Sequence, residues 1–135
     1  MFKNVLVGLK EELQPGPLLD LTQVAAPPPA TIHLVTLVRT GVNEDRDRLA
    51  HTERNLEVHA AKLRSKGYEV SCEVGILVVA AAADLLSMAR QREVDLMVIG
   101  LAKRSRVGKA LLGSDAQRVL LGAHCPVLVT QLFGA

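Results

Sequence analysis

The amino-acid sequence predicts an α/β protein: a five-stranded parallel sheet with helices on both faces. Short, continuous, β-branched apolar runs stand at residues 5–9, 31–38 and 95–99, the pattern of strands buried on both sides. Segments of helical period fill the gaps between strands, and such alternation calls for a parallel sheet. Scale agrees. The chain has 135 residues, 49% hydrophobic and 22% charged, which suits a single domain over residues 1–135 and excludes a disordered chain.

The first strand is predicted over residues 5–9. The helix after it is delayed by Pro15-Gly16-Pro17 and ended by Pro27-Pro28-Pro29, leaving residues 17–26. The second strand takes residues 31–38. In the helix that follows, Leu49, Leu56, Ala60 and Leu63 form a narrow apolar stripe. Glu44 and Asp45 near its start and Lys62, Arg64 and Lys66 near its end complement the helix dipole, and Gly67 is placed to cap it. Residues 68–74 alternate polar with apolar, as an edge or half-exposed strand does. Ala82, Leu85, Leu86 and Ala89 give the next helix, ahead of the strand at 95–99. Ala116, Val119, Leu120 and Ala123 repeat that spacing in the last helix. The final strand, 127–133, follows Pro126, which is tolerated at a strand's first position.

Composition excludes several functions. Aromatic residues are 2% of the chain, with Phe2, Phe133 and Tyr68 but no Trp, so base stacking has no platform. A net charge of +2 likewise argues against nucleic acid as partner. No apolar run approaches the ~20 residues of a membrane span, and the opening residues lack the pattern of a secretory signal. Cys72 and Cys125 stand far apart in no metal-ligand spacing, as expected in a reducing compartment. A cytoplasmic protein with no membrane partner is the expectation.

Common catalytic and cofactor motifs are missing where the fold would place them. The first strand runs out as Gly8-Leu9-Lys10-Glu11-Glu12 rather than a dinucleotide fingerprint, and Lys10 stands where a phosphorylatable receiver would hold Mg²⁺ with acids. A P-loop would need glycine at Lys103 and Ser or Thr at Ala110. No nucleophile elbow occurs, and His33, His51, His59 and His124 form no catalytic or metal-ligand spacing. The expectation is no enzyme activity, no catalytic residues and no metal.

The informative segment follows the fourth strand, from Gly100 to Ser114. It carries Lys103, Arg104, Arg106 and Lys109, then enters a helix at Gly113-Ser114, where Ser114 is a natural N-cap and free amides attract anions. A solvated basic loop with a capping serine is the plain alternative. Taken from Asp95-Leu96-Met97-Val98-Ile99-Gly100 through Gly113-Ser114 to Cys125-Pro126-Val127-Leu128-Val129, this third of the chain resembles the universal stress protein family. Asn4-Val5-Leu6-Val7-Gly8 and Ile32-His33-Leu34-Val35 extend the likeness to essentially the whole length. The resemblance implies a Rossmann-like sheet of the adenine nucleotide alpha hydrolase type, ordered 3-2-1-4-5, and a stress-response regulatory role.

The resemblance also implies where a nucleotide would sit. The candidate pocket comprises Gly8, Leu9, Lys10, Val38, Ile99, Gly100, Ala102, Lys103, Gly113, Ser114 and Asp115. ATP-binding members share the pattern G-x2-G-x9-G-[ST], in which glycines let the backbone approach phosphates. Gly100 and Gly113-Ser114 match it, while Lys103 replaces the second glycine. Lys10 replaces the acid that such members carry after the first strand, and Asp115 adds negative charge near the phosphates. These departures point to an altered pocket with weak or absent ATP binding. The alternative is an ATP- or AMP-responsive switch in which Lys103 contacts phosphate. Finally, apolar residues on both faces of the last strand need cover or pairing. The resemblance supplies a homodimer through that strand, with Val127, Leu128, Val129 and Thr130 at the edge.

Overall fold

The computed structural model describes residues 1–10, 15–38, 45–76, 81–102 and 114–132. Strands β1 (Asn4–Leu9), β2 (Thr31–Val38), β3 (Glu69–Ile76), β4 (Leu96–Ala102) and β5 (Val127–Leu132) alternate with helices α1 (Gly16–Ala25), α2 (Asp45–Ser65), α3 (Ala81–Gln91) and α4 (Ser114–Gly122). The sheet order is β3-β2-β1-β4-β5, and every pairing is parallel. The predicted fold class and the implied order both hold.

Strand side chains divide between the two helical layers with period two. Val5, Val7 and Leu9 of β1 and Leu96 and Val98 of β4 pack with Leu18, Leu56 and Leu63 of α1 and α2. Leu6, Met97 and Ile99 point the other way and pack with Ala82, Ala89, Ala116 and Val119 of α3 and α4. Both faces of the central strands are therefore dry, which explains why their sequence reads as unbroken apolar runs. Each large side chain so buried contributes about 1.5–3 kcal/mol over its exposed state.

Most helices sit where their periodicity places them, with instructive differences. α1 begins one residue earlier than predicted, at Gly16, with a proline in its first two positions, where no backbone N–H is missed. The α2 stripe holds at Leu56, Ala60 and Leu63, but Thr52 is buried in the next turn and Leu49 is only half-buried. Thr52 tolerates burial because its hydroxyl donates to the Arg48 carbonyl at 2.9 Å. Gly67 ends α2 as expected: its φ is +99°, its N–H donates to the Arg64 carbonyl at 3.1 Å and the Tyr68 N–H reaches the Leu63 carbonyl at 3.3 Å. In α4, Ala116 and Val119 are buried, yet Leu120 is 40% exposed and Leu121 88% exposed. No described element covers that side of α4, so the period alone overstates its apolar face.

Candidate functional site

The chain turns back on itself at β1. That strand pairs with β2 through Asn4↔Thr31 to Leu9↔Thr36 and with β4 through Val5↔Leu96 to Gly8↔Ile99. The first two crossovers build the sheet to one side of β1 and the third carries the chain to its other side, and crevices at such reversals are the usual ligand sites of open α/β sheets. The strand ends that surround the crevice are Leu9 and Lys10, Val38, and Gly100 to Ala102.

The predicted site residues that the structure describes do not all come together. Gly8, Ile99 and Gly100 come together in register across β1 and β4, with Gly100 opposite Thr130 of β5. A Cβ on Gly8 would lie 3.3 Å from Leu85 Cδ1 and 3.6 Å from Ile99 Cγ2, so this glycine admits close packing of α3 on the sheet. Leu9 points to the opposite face, buried against the α1 and α2 layer, and Val38 is buried at the end of β2. Lys10 is exposed just beyond β1. Ala102 is in β4, paired with Leu132. At the far side, Ser114 is the first residue of α4, and Asp115 follows in its first turn; both are exposed. Lys103 and Gly113 lie outside the described residues. Val127, Leu128, Val129 and Thr130 are half-buried on β5, which hydrogen-bonds to β4 along one side and forms the end of the sheet.

Sequence reasoning overlooked a cleft on the α2 side. Its volume is about 380 Å³, and it lies between the ends of β1 and β2 and one side of α2. Arg48, His51, Thr52, Asn55 and His59 line it together with Lys10 and Thr36. The α2 residues recur at i, i+3, i+4, i+7 and i+11, so they share a helix face. That spacing, with His51, Asn55 and His59 each four apart, was the available signal; it was hidden in a helix whose other residues read as a charged solvent face. The Asn55 amide donates to His51 Nε2 at 3.3 Å. Burial, with Lys62 nearby, pushes His59 below its ordinary value.

A second overlooked arrangement lies at the opposite, amino-terminal end of the sheet. The Asn4 side-chain amide donates to the carbonyls of Arg92 at 2.9 Å and Glu93 at 3.2 Å, which leaves Asn4 Oδ1 to accept. His33 Nε2 lies 2.9 Å from that oxygen and must carry the proton; His33 Nδ1 then accepts from the Ser71 hydroxyl at 2.6 Å. Burial and the Arg92 guanidinium hold the imidazole below its ordinary value, with Glu73 opposing in part. This row crosses β3, β2 and β1 to the end of α3. Serine, imidazole and amide stand in the order of a nucleophilic triad, yet Ser71 is exposed on the flank of β3 and belongs to no described cleft. The row's hydrogen bonds tie β3, β2 and β1 side by side.

The cysteines carry no reactive signature. Both are free, and they belong to opposite ends of the sheet, consistent with packing roles. Burial, then the Glu57 carboxylate, pushes the Cys72 thiol up to about 11, and burial also raises Cys125. Among the described residues, no three His, Cys, Asp or Glu side chains gather in a group able to hold a metal, and no helix is long and apolar enough to cross a membrane.

Comparison with known proteins decides the family. A profile described as the universal stress protein family matches residues 1–131. The chain belongs to that family. A universal stress protein of Mycolicibacterium smegmatis is 40% identical over 89 residues, which is 63% of this chain and 66% of that protein. Another, from Methanocaldococcus jannaschii, is 40% identical over 50 residues, 37% of this chain and 29% of that protein. The matches thus span about two thirds and under a third of those relatives' lengths. Among solved structures, the universal stress protein of Archaeoglobus fulgidus in complex with dAMP superposes with a TM-score of 0.69 at 18% identity, covering 94% of this chain and 96% of that one. At that identity the superposition establishes the shared fold, and the universal stress protein sheet order is the one found here.

Proposed function

We propose that this universal stress protein domain is a non-catalytic regulatory module, acting in the cytoplasm as a homodimer, whose switch-point crevice takes ATP weakly or not at all. The observation that carries the reading is Lys10, exposed immediately after β1 at the crevice. An ammonium in place of a carboxylate there removes a charged acceptor for the nucleoside hydroxyls. The loss of one such hydrogen bond is worth roughly 1.5–3 kcal/mol, or one to two orders of magnitude in affinity. Lys103 in place of the second motif glycine works in the same direction. A non-catalytic role is supported by His33, whose two ring nitrogens are both engaged, and by the raised thiol of Cys72. Dimerisation is supported by β5, an end strand with half-buried Val127, Leu128 and Val129 divided between its two faces.

The alternative, a nucleotide-responsive switch, draws on the dAMP complex of the A. fulgidus protein and on the basic segment of Lys103, Arg104, Arg106 and Lys109. Calorimetry with ATP, ADP and AMP separates the two. Binding weaker than micromolar is expected, with a gain of tenfold or more in ATP affinity in the Lys10→Asp, Lys103→Gly double variant. Sub-micromolar binding to the unaltered protein would overturn the altered-pocket reading. A monomeric mass in sedimentation equilibrium would overturn the homodimer.

A further inference from the structure

The row of Ser71, His33 and Asn4 holds more chemistry than the joining of three strands requires. A donor and an acceptor suffice to tie neighbouring strands, whereas here every proton in the row has a fixed place. The Asn4 amide is spent on the Arg92 and Glu93 carbonyls, so its oxygen faces His33 Nε2 at 2.9 Å and holds the ring in one tautomer. That tautomer turns the Nδ1 lone pair onto the Ser71 hydroxyl, 2.6 Å away. His33 and Ser71 stand directly opposite each other in the β2–β3 register, while Asn4 lies on β1 two residues before Leu6, the partner of His33. All three residues belong to strands, so the sheet itself sets their spacing. Burial falls along the row: Asn4 and His33 are half-buried, and Ser71 is exposed on β3, the end strand. A hydroxyl, its base and the group that orients the base therefore follow in sequence.

We propose that Ser71 is a nucleophilic serine and a site of covalent modification, taking an acyl group from an activated ester with His33 as general base and Asn4 as its positioning residue. Ser71 Oγ bonds to the ester carbonyl carbon as its proton passes to His33 Nδ1. The bond from that carbon to the leaving oxygen then breaks, and Nδ1 gives the proton to the departing alcohol. His33 Nε2–H stays on Asn4 Oδ1 throughout, which stabilises the imidazolium formed between the two events. The charged groups that bear on the imidazole are Arg92, just after α3, and Glu73 on β3, which pair with each other. Burial and Arg92 keep the ring below its ordinary value, hence uncharged and able to take a proton at pH 7. Glu73 is two residues from Ser71 and on the same face of β3, so its partner Arg92 brings a cation to the side of the strand where the oxyanion forms. An exposed hydroxyl outside any described cleft is open to an ester from solution but does not hold a substrate for turnover. The outcome is one acyl group per chain, compatible with a non-catalytic domain and independent of the crevice.

The test is treatment of the full chain with p-nitrophenyl acetate, the acetylated residues being located and their rates followed by peptide mass spectrometry. Ser65 is the internal control: it too is exposed, but its hydroxyl donates at 2.6 Å to the Lys62 carbonyl, which cannot take a proton. Ser71 is expected to be acetylated about 100-fold faster or more, the lower end of what a positioned general base supplies. Its rate rises with pH as His33 loses its proton, then levels, with the midpoint below the ordinary histidine value of about 6.5. His33→Gln keeps a donor for Asn4 and an acceptor for Ser71 but is no base, and the Ser71 rate falls by about 100-fold. Asn4→Asp moves the rise to higher pH, because its carboxylate favours the imidazolium. Acetylation of Ser71 no faster than of Ser65, an unchanged rate in folded His33→Gln, or a rate that climbs with pH and never levels overturns the proposal. If His33→Gln does not fold, the Asn4→Asp profile decides, and an undisplaced midpoint overturns it.

Discussion

Replacing Asn4 by alanine removes the hub of the polar row that ties β1 to β2 and to the end of α3. The side chain makes three hydrogen bonds: two donated, to Arg92 O at 2.9 Å and Glu93 O at 3.2 Å, and one accepted from His33 Nε2 at 2.9 Å. The Glu93 bond is solvent-exposed and contributes little. The other two are partly buried and are each worth about 1 kcal/mol net. Truncation also leaves the His33 N–H without its acceptor. The expected loss is therefore about 2 kcal/mol of unfolding free energy, a drop in Tm of roughly 6–12 °C for a domain of this size. Urea unfolding at pH 7.5 measures it through the midpoint at unchanged m-value. Asn4→Asp is the informative companion. It keeps an acceptor for His33 but loses both donors, and its carboxylate favours the charged imidazole, so this variant becomes relatively more stable as pH falls. A loss under about 0.5 kcal/mol for Asn4→Ala, the scatter of ordinary surface substitutions, would refute the idea that this row holds the strands in register.

Two further outcomes follow from the same physical reading. His33 and His59 are both depressed in the folded state, chiefly by burial, so the unfolded chain binds more protons near pH 6 and stability rises with pH. The contribution is fully present above the ordinary histidine value of about 6.5 and is lost as pH falls through the lowered folded values. Its ceiling is about 1.4 kcal/mol per pH unit per proton, reduced here because both rings are part-exposed and screened by water. His33→Gln, which can still donate to Asn4 and accept from Ser71, should flatten the stability profile as pH falls below the ordinary histidine value of about 6.5; an unaltered slope counts against the assignment. Gly67→Ala puts a Cβ at a φ of +99°, and costs about 1–2 kcal/mol, read as a lower thermal midpoint; an unshifted midpoint would mean the α2 terminus rearranges freely.

Much of the fold was legible in the sequence, for identifiable reasons. Runs such as Thr31–Val38 are apolar on both faces because helices cover both faces, and that leaves a continuous signal. Gly67 was legible because a left-handed residue at a helix end leaves little choice of residue. α4 was misread in part, since Leu120 satisfies the apolar period and yet is 40% exposed. Of the candidate site, the crevice position was legible through Gly8, Lys10 and Gly100. The polar face of α2 was not.

The order of strands and helices and the identity of the charges at strand ends were determined by the sequence itself, because hydrophobic period and local backbone preference act over a few residues. Tertiary structure alone decided which distant polar groups meet. His33 is one strand residue among eight until β1 and β3 flank it with Asn4 and Ser71. Lys10 is a charge after a strand until the α2 crossover brings His51 and His59 across from it. Such meetings depend on crossover geometry and on which face a helix turns inward, neither of which leaves a trace in any short window of sequence.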